Sequence, residues 1–132
     1  MKLSDKLVFG NRQINNRVVF QPMEGCDCNT DGTPSEFTKE KYRSFMKSKA
    51  GIVWFEANAV CEEGRTNPHQ MMLTKENLPS FRAFVQELKE LALRENDFVP
   101  LMLIQLTHSG RQSVNPIIAY RNPVYEEKRP VR

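Results

Sequence analysis

The sequence contains no apolar run approaching the ~20 residues that a membrane-spanning helix requires. Its opening residues, Met1-Lys2-Leu3-Ser4-Asp5-Lys6, lack the apolar segment of a secretory signal. Together these absences make the cytoplasm the expected compartment. Neither GxGxxG nor a Walker-type GxxxxGKS/T occurs, so no Rossmann site and no P-loop is expected, and Gly25 and Gly32 cradle no phosphate. Internal repeats and low-complexity stretches are missing too. Basic residues are not concentrated among aromatics on any segment, which argues against nucleic-acid binding. The net charge is only +3, from 19 basic and 16 acidic residues. Arg121, Lys128, Arg129 and Arg132 read as a solvated tail.

Cysteine is scarce. Cys26, Cys28 and Cys61 are an odd count without a secretory signal, which predicts reduced thiols. With His69 they supply four potential metal ligands. However, Cys26-Asp27-Cys28 has a single intervening residue, where zinc sites use two to four. Free thiols in a loop are the expectation, and a small metal-binding module is the competing one.

What is present organises the 132 residues as one domain, long enough to bury roughly two-thirds of its unfolded surface. Three apolar, β-rich runs stand out: Arg17 to Gln21, Gly51 to Glu56 and Val99 to Leu106. Short, nearly continuous apolar runs predict strands buried on both faces, as in parallel sheets covered by helices. Between the first two runs, Thr33-Pro34-Ser35-Glu36 predicts a helix start, with Thr33 as cap and Glu36 completing a capping box. That helix is expected to run to about Ser48, with Phe37, Tyr42 and Phe45 facing inward.

A second helix is predicted by Leu78, Phe81, Val85, Leu88 and Leu91 or Ala92, which recur at three and four residues. Pro79 sits in its first turn, where a missing N–H does no harm. Leu7 to Phe9 and Gln13 to Asn15, around Gly10-Asn11, predict a small hairpin. The fold class is therefore α/β, an N-terminal hairpin followed by βαβαβ over residues 16–112, with right-handed crossovers. Ser113 to Arg132 has three prolines and no helical period, so an irregular tail is expected. Domains of this class seldom end that way, and three parallel strands leave two open edges. The expectation is a segment of a longer protein.

In such architectures ligands gather at the carboxyl ends of the strands. Three segments project there: Pro22-Met23-Glu24-Gly25, Glu56-Ala57-Asn58 and Gln105. The connection from Asn58 to Thr74 is long for a βα loop, and long loops on that face tend to carry function.

These segments carry a family resemblance. Asn16-Arg17-Val18-Val19-Phe20-Gln21-Pro22-Met23 resembles the N-R-hydrophobic-x-x-P-M opening of Old Yellow Enzyme-type NADH:flavin oxidoreductases. Trp54 to Val60 with Glu63-Gly64-Arg65 resembles that family's second strand and loop. Gln105-Leu106-Thr107-His108-Ser109-Gly110-Arg111 resembles its Q-L-x-H-x-G-R signature. The likeness covers nearly all of this chain but only the first third or so of a full member. It implies the first part of a TIM (β/α)8 barrel, incomplete here, that binds FMN at its carboxyl face. It also implies NADH or NADPH as hydride donor and an activated alkene or enone as small-molecule acceptor.

Carried over residue by residue, the resemblance implies that Pro22 and Met23 line the isoalloxazine. Ala57 faces the ring and leaves room for it, and Gln105 bonds the pyrimidine edge, where a carboxamide offers donor and acceptor. Glu24 occupies a position that commonly holds Thr or Cys near flavin O4 and N5. A carboxylate there opposes the anionic reduced flavin unless it turns away or pairs with a cation. No residue of the chain is expected to be catalytic, because the substrate-binding His or Asn pair of this family lies further along. Glu56 is expected in a structural ion pair, with Arg111 as partner, His108 in a structural role, and His69 in solvent. The chain alone is expected to be inactive, with homo-oligomers formed through its open strand edges as the non-catalytic alternative.

Overall fold

A computed structural model of the protein describes residues 1–113. The tail expected from Ser113 onward lies, beyond Ser113 itself, outside the described residues. Strands β1 (Leu7–Phe9) and β2 (Arg12–Ile14) form an antiparallel hairpin, in which Leu7 pairs with Ile14 and Phe9 with Arg12. The turn is tighter than the sequence suggests, since β2 starts one residue earlier. Gly10 takes a φ of 59°, which a two-residue hairpin turn demands.

Strands β3 (Val19–Phe20), β4 (Ile52–Ala59) and β5 (Leu101–Thr107) build a parallel sheet in the order β3-β4-β5. Helices α1 (Glu36–Lys47) and α2 (Leu78–Asn96) make the two crossovers and pack on one face of the sheet. The β-α-β-α-β order is the expected one. The first strand is shorter than the run Arg17 to Gln21. The second is longer than expected, passing Glu56 to reach Ala59, with a bulge between Phe55 and Ala57.

The core lies between the sheet and the helices. Val53 and Phe55 of β4 meet Tyr42 and Met46 of α1 and Phe81, Phe84, Leu88, Leu91 and Ala92 of α2. Tyr42 stacks on Phe55 at 4.4 Å between ring centroids, and Phe84 meets both edge-on. On α2 the predicted stripe holds, with both Leu91 and Ala92 buried. On α1 the inward face is Thr38, Tyr42 and Met46, while Phe37 is 82% exposed. Tyr42 faces inward as expected and Phe45 packs partly buried against the core, stacked on Phe20, whereas Phe37 lies outside the i, i+4 row of Thr38, Tyr42 and Met46. Ser35, not Thr33, is the cap and accepts the Thr38 N–H through Oγ. Glu36 makes no capping box and instead pairs with Arg43 and Lys39.

The expectation of strands buried on both faces fails for the sheet among the described residues. Trp54, Ile104 and Leu106 are 36%, 44% and 65% exposed. Helices cover one face of the sheet, and β5 is its edge strand.

Candidate functional site

The carboxyl ends of the three strands carry the residues singled out from the sequence. Ala57 of β4 stands in register with Gln105 of β5, and Asn58 and Ala59 with Leu106 and Thr107. Partners in a parallel ladder share a face, so Ala57 and Gln105 project side by side. Both are partly exposed, unlike the buried Val53 and Phe55 that face the helices. The bulge between Phe55 and Ala57 produces this arrangement. One extra residue reverses the alternation, so Phe55 and Glu56 are both buried while Ala57 turns away from the core.

Pro22 and Met23 follow β3 at the same end of the sheet. Phe20, the last paired residue of β3, is opposite Val53. Met23 lies three residues beyond Phe20, as Glu56 lies three beyond Val53. Pro22 is half-buried and Met23 is 77% exposed. A tight turn fixes the pair, with the Met23 N–H donating to the Gln21 carbonyl at 2.9 Å.

Glu24 turns toward the β4–α2 connection. Its Oε1 accepts from Thr66 Oγ1 at 3.0 Å and from Asn67 Nδ2 at 3.1 Å, and the Cys26 thiol approaches it at 3.6 Å. Neutral donors, not a cation, hold the carboxylate. Asn67 Nδ2 also reaches Cys26 Sγ at 3.2 Å. Burial and the neighbouring Glu24 charge push the Cys26 thiol above its usual range. Cys28 is buried beneath, against Thr38, and burial pushes its thiol up to about 11.

Glu56 is 1% exposed and does form a buried ion pair, but its partner is Lys41 and not Arg111. The physical reason is the bulge, which swings the carboxylate onto the α1 side of the sheet. Its Oε1 meets Lys41 Nζ at 2.9 Å and the Tyr42 hydroxyl at 3.3 Å, and its Oε2 accepts the Gly25 N–H at 2.7 Å. Lys41 also reaches Asp27 at 3.1 Å. Burial pulls the Lys41 ammonium down, but Glu56 and Asp27 outweigh it and hold the group above its usual range. Burial, then the Glu56 charge, push the Tyr42 hydroxyl well up.

The β4–α2 connection is more ordered than its length suggests. A 3-10 turn spans Glu62–Gly64, and Arg65 behind it is 2% exposed. Its guanidinium donates to the carbonyls of Thr30, Pro68 and Gln70 and to Glu62. Sequence reasoning placed Arg65 in a motif but gave it no role. A charged residue a few positions past a strand carries no signal of burial.

His69 is not merely solvated. Its Nδ1 lies 2.8 Å from the Cys28 carbonyl, and its own carbonyl accepts the Cys28 N–H. His108 accepts the Gly110 N–H through Nδ1, a turn-forming contact in keeping with a structural role. Among the described residues no group of three or more His, Cys, Asp and Glu is placed to hold a metal ion. No described helix is long and apolar enough to cross a membrane.

NADPH dehydrogenase from Listeria welshimeri is 32% identical over 119 residues, 87% of this chain and 33% of that protein. NADPH dehydrogenase from Geobacillus sp. strain WCH70 is 31% identical over 101 residues, 76% of this chain and 28% of that protein. The chain thus spans roughly a third of the length of the curated relatives it matches. Among solved structures, the old yellow enzyme homologue from Zymomonas mobilis has a TM-score of 0.70 at 23% identity, covering 86% of this chain and 30% of that one. Morphinone reductase in complex with tetrahydroNAD has a TM-score of 0.64 at 21% identity, covering 84% of this chain and 28% of that one. The fold is shared with both. The family model described as NADH:flavin oxidoreductase / NADH oxidase matches residues 2–124, and this chain belongs to that Old Yellow Enzyme-like family.

Proposed function

We propose that the chain supplies the opening βαβαβ unit of a TIM (β/α)8 barrel in an FMN-dependent oxidoreductase. The observation that carries this reading is the pairing of Ala57 with Gln105 at the carboxyl end of the sheet. Parallel α/β architectures bind ligands at that end. The residues present fit a flavin. A methyl side chain at Ala57 leaves space over the sheet end for a flat ring. The adjacent Gln105 carboxamide offers the donor and acceptor that a pyrimidine edge requires.

In this reading Gln105 orients the ring, Ala57 admits it, and Pro22 and Met23 border it. Glu24 faces the same end, fastened to Thr66 and Asn67. FMN, when bound, supplies hydride transfer from NADH or NADPH to an activated alkene or enone. No described side chain is assigned a catalytic step. The chain's own work is to bind and orient.

Three strands cannot enclose a ligand, so the isolated chain is expected to bind FMN weakly and to be inactive. The test is flavin titration followed by desalting. Weak quenching of FMN fluorescence that is lost in Ala57→Trp is the expected result. Quenching indifferent to Ala57→Trp would overturn the flavin reading, and stoichiometric flavin surviving desalting would overturn the inactivity of the isolated chain.

A second reading concerns the state of the chain alone. Ile104 and Leu106 leave apolar surface on the edge strand, and such edges pair with other chains. Self-association is the expected outcome by sizing chromatography. A concentration-independent monomer counts against it.

A further inference from the structure

We infer that Glu56 and Lys41 are positioning residues that hold the segment after Pro22-Met23 in one backbone arrangement at the carboxyl end of the sheet. The inference rests on the site reading above, and its physical content is a latch across the β3–α1 loop. The bulge in β4 places the Glu56 carboxylate behind that loop, with both oxygens engaged. One oxygen takes the Gly25 N–H of the loop, and the other takes Lys41 and Tyr42 of α1. The Tyr42 hydroxyl in turn accepts the Glu56 N–H at 2.8 Å, so the strand backbone and its carboxylate are fixed together.

Lys41 is the second half of the latch. It spans Glu56 on the strand and Asp27 on the loop, at 2.9 and 3.1 Å. Asp27 is also bonded by Thr38 at 2.8 Å. Between the two anchored residues, Gly25 and Asp27, sits Cys26 with a φ of 50°. A non-glycine residue in the left-handed region persists where its surroundings over-determine it. The contacts on either side of Cys26 do so. The latch also closes tightly over Gly25, where an added Cβ would collide with Lys41 Nζ and the Asp27 carboxylate. A buried carboxylate whose oxygens point at one loop and one helix is spent on placing that loop, and the loop begins at Met23.

The test is amide hydrogen exchange and carbon chemical shifts by NMR on the full chain, without flavin. In Lys41→Met, which leaves the Gly25–Glu56 bond in place, Gly25 exchange is expected to accelerate about tenfold or more, as loss of a charge-assisted contact implies. The Cys26 Cα and Cβ shifts are expected to move away from left-handed values. Protection of the core amides of Val53 and Leu88 is expected to fall less than that of Gly25, by no more than the loss of global stability. Asp27→Asn, which leaves the Lys41–Glu56 pair in place and weakens the Asp27 contacts with Lys41 and Thr38, gives a smaller change in the same direction and covers the case in which Lys41→Met fails to fold. Unchanged Gly25 exchange and Cys26 shifts in a folded variant would overturn the inference. So would equal acceleration at Gly25, Val53 and Leu88, which would mean that the whole fold and not the latch holds the loop. Because no flavin is present, failure here is separate from failure of the FMN reading.

Discussion

Ala57 and Gln105 stand opposite each other across the parallel β4–β5 pair, one residue past a bulge that turns Ala57 away from the helices. The two residues contribute little to the core, since both remain partly exposed. Their substitution therefore separates binding from stability. Gln105→Leu is expected to change the melting temperature little, because surface changes stay within about ±0.5 kcal/mol. The same variant is expected to weaken FMN quenching, since it removes both donor and acceptor. Parallel melting and titration experiments check this, and a lowered melting temperature with unchanged quenching would contradict it.

Arg65 is the reverse case, a buried charge whose bonds tie two loops at the carboxyl end to each other. It joins the Thr30 carbonyl of the β3–α1 loop to the Pro68 and Gln70 carbonyls of the β4–α2 loop. Arg65→Ala leaves those acceptors unpaired and is expected to cost about 3 kcal/mol, seen as a lowered denaturation midpoint. Arg65→Lys is not expected to restore it, because an ammonium cannot reproduce the planar fork. Recovery of stability by lysine would show that charge alone matters.

Two glycines with positive φ make a controlled comparison. Gly32 has φ +83°, and an added Cβ would lie 2.6 Å from the Met72 carbonyl oxygen, while at Gly10, φ +59°, nothing lies within 4 Å. Gly10→Ala is expected to cost about 1 kcal/mol from backbone conformation alone. Gly32→Ala adds a clash with backbone that is held in place, since the Met72 N–H bonds the Gly32 carbonyl. It is expected to cost at least ~2 kcal/mol by urea denaturation. Equal costs would show that the two loops do not press together in solution.

The order of elements was legible because strand and helix periods differ, and the α2 stripe of Phe81, Leu88 and Leu91 is a pure case. The start of α1 was not, because Thr33 and Ser35 both suit a cap and only tertiary contacts decide between them. Thr33 is taken up by Asp31, whose carboxylate accepts its N–H and hydroxyl, while Ser35 Oγ caps Thr38. The partner of Glu56 was hidden for a related reason. A one-residue bulge has no signature in an apolar run, yet it decides which way a carboxylate points. Ser35→Ala is expected to destabilise by about 1 kcal/mol through loss of the cap. Thermal melts of Ser35→Ala and Thr33→Ala check the choice, and a larger loss at Thr33 would reverse it.

The buried groups around Glu56 also fix the response to alkali. Cys28 has a thiol pushed from 9.0 to about 11 by burial. A thiol that is harder to ionise in the folded chain favours the unfolded chain once it ionises there. Its contribution is intact below about pH 9 and is lost as pH rises toward about 11. Lys41, raised by Glu56 and Asp27, acts in the same direction, as does Tyr42, whose contribution begins to fall above the usual tyrosine value of 10.0. The melting temperature is therefore expected to fall between pH 9 and 11, with a shallower fall in Cys28→Ala. Lys41→Met removes a second part of the slope, beginning above the usual lysine value of 10.5. Melts at stepped pH in each variant resolve the two contributions. Identical slopes in the parent chain and Cys28→Ala would mean that the thiol is not buried in solution, and with it the packing of Cys28 beneath the loop would be wrong.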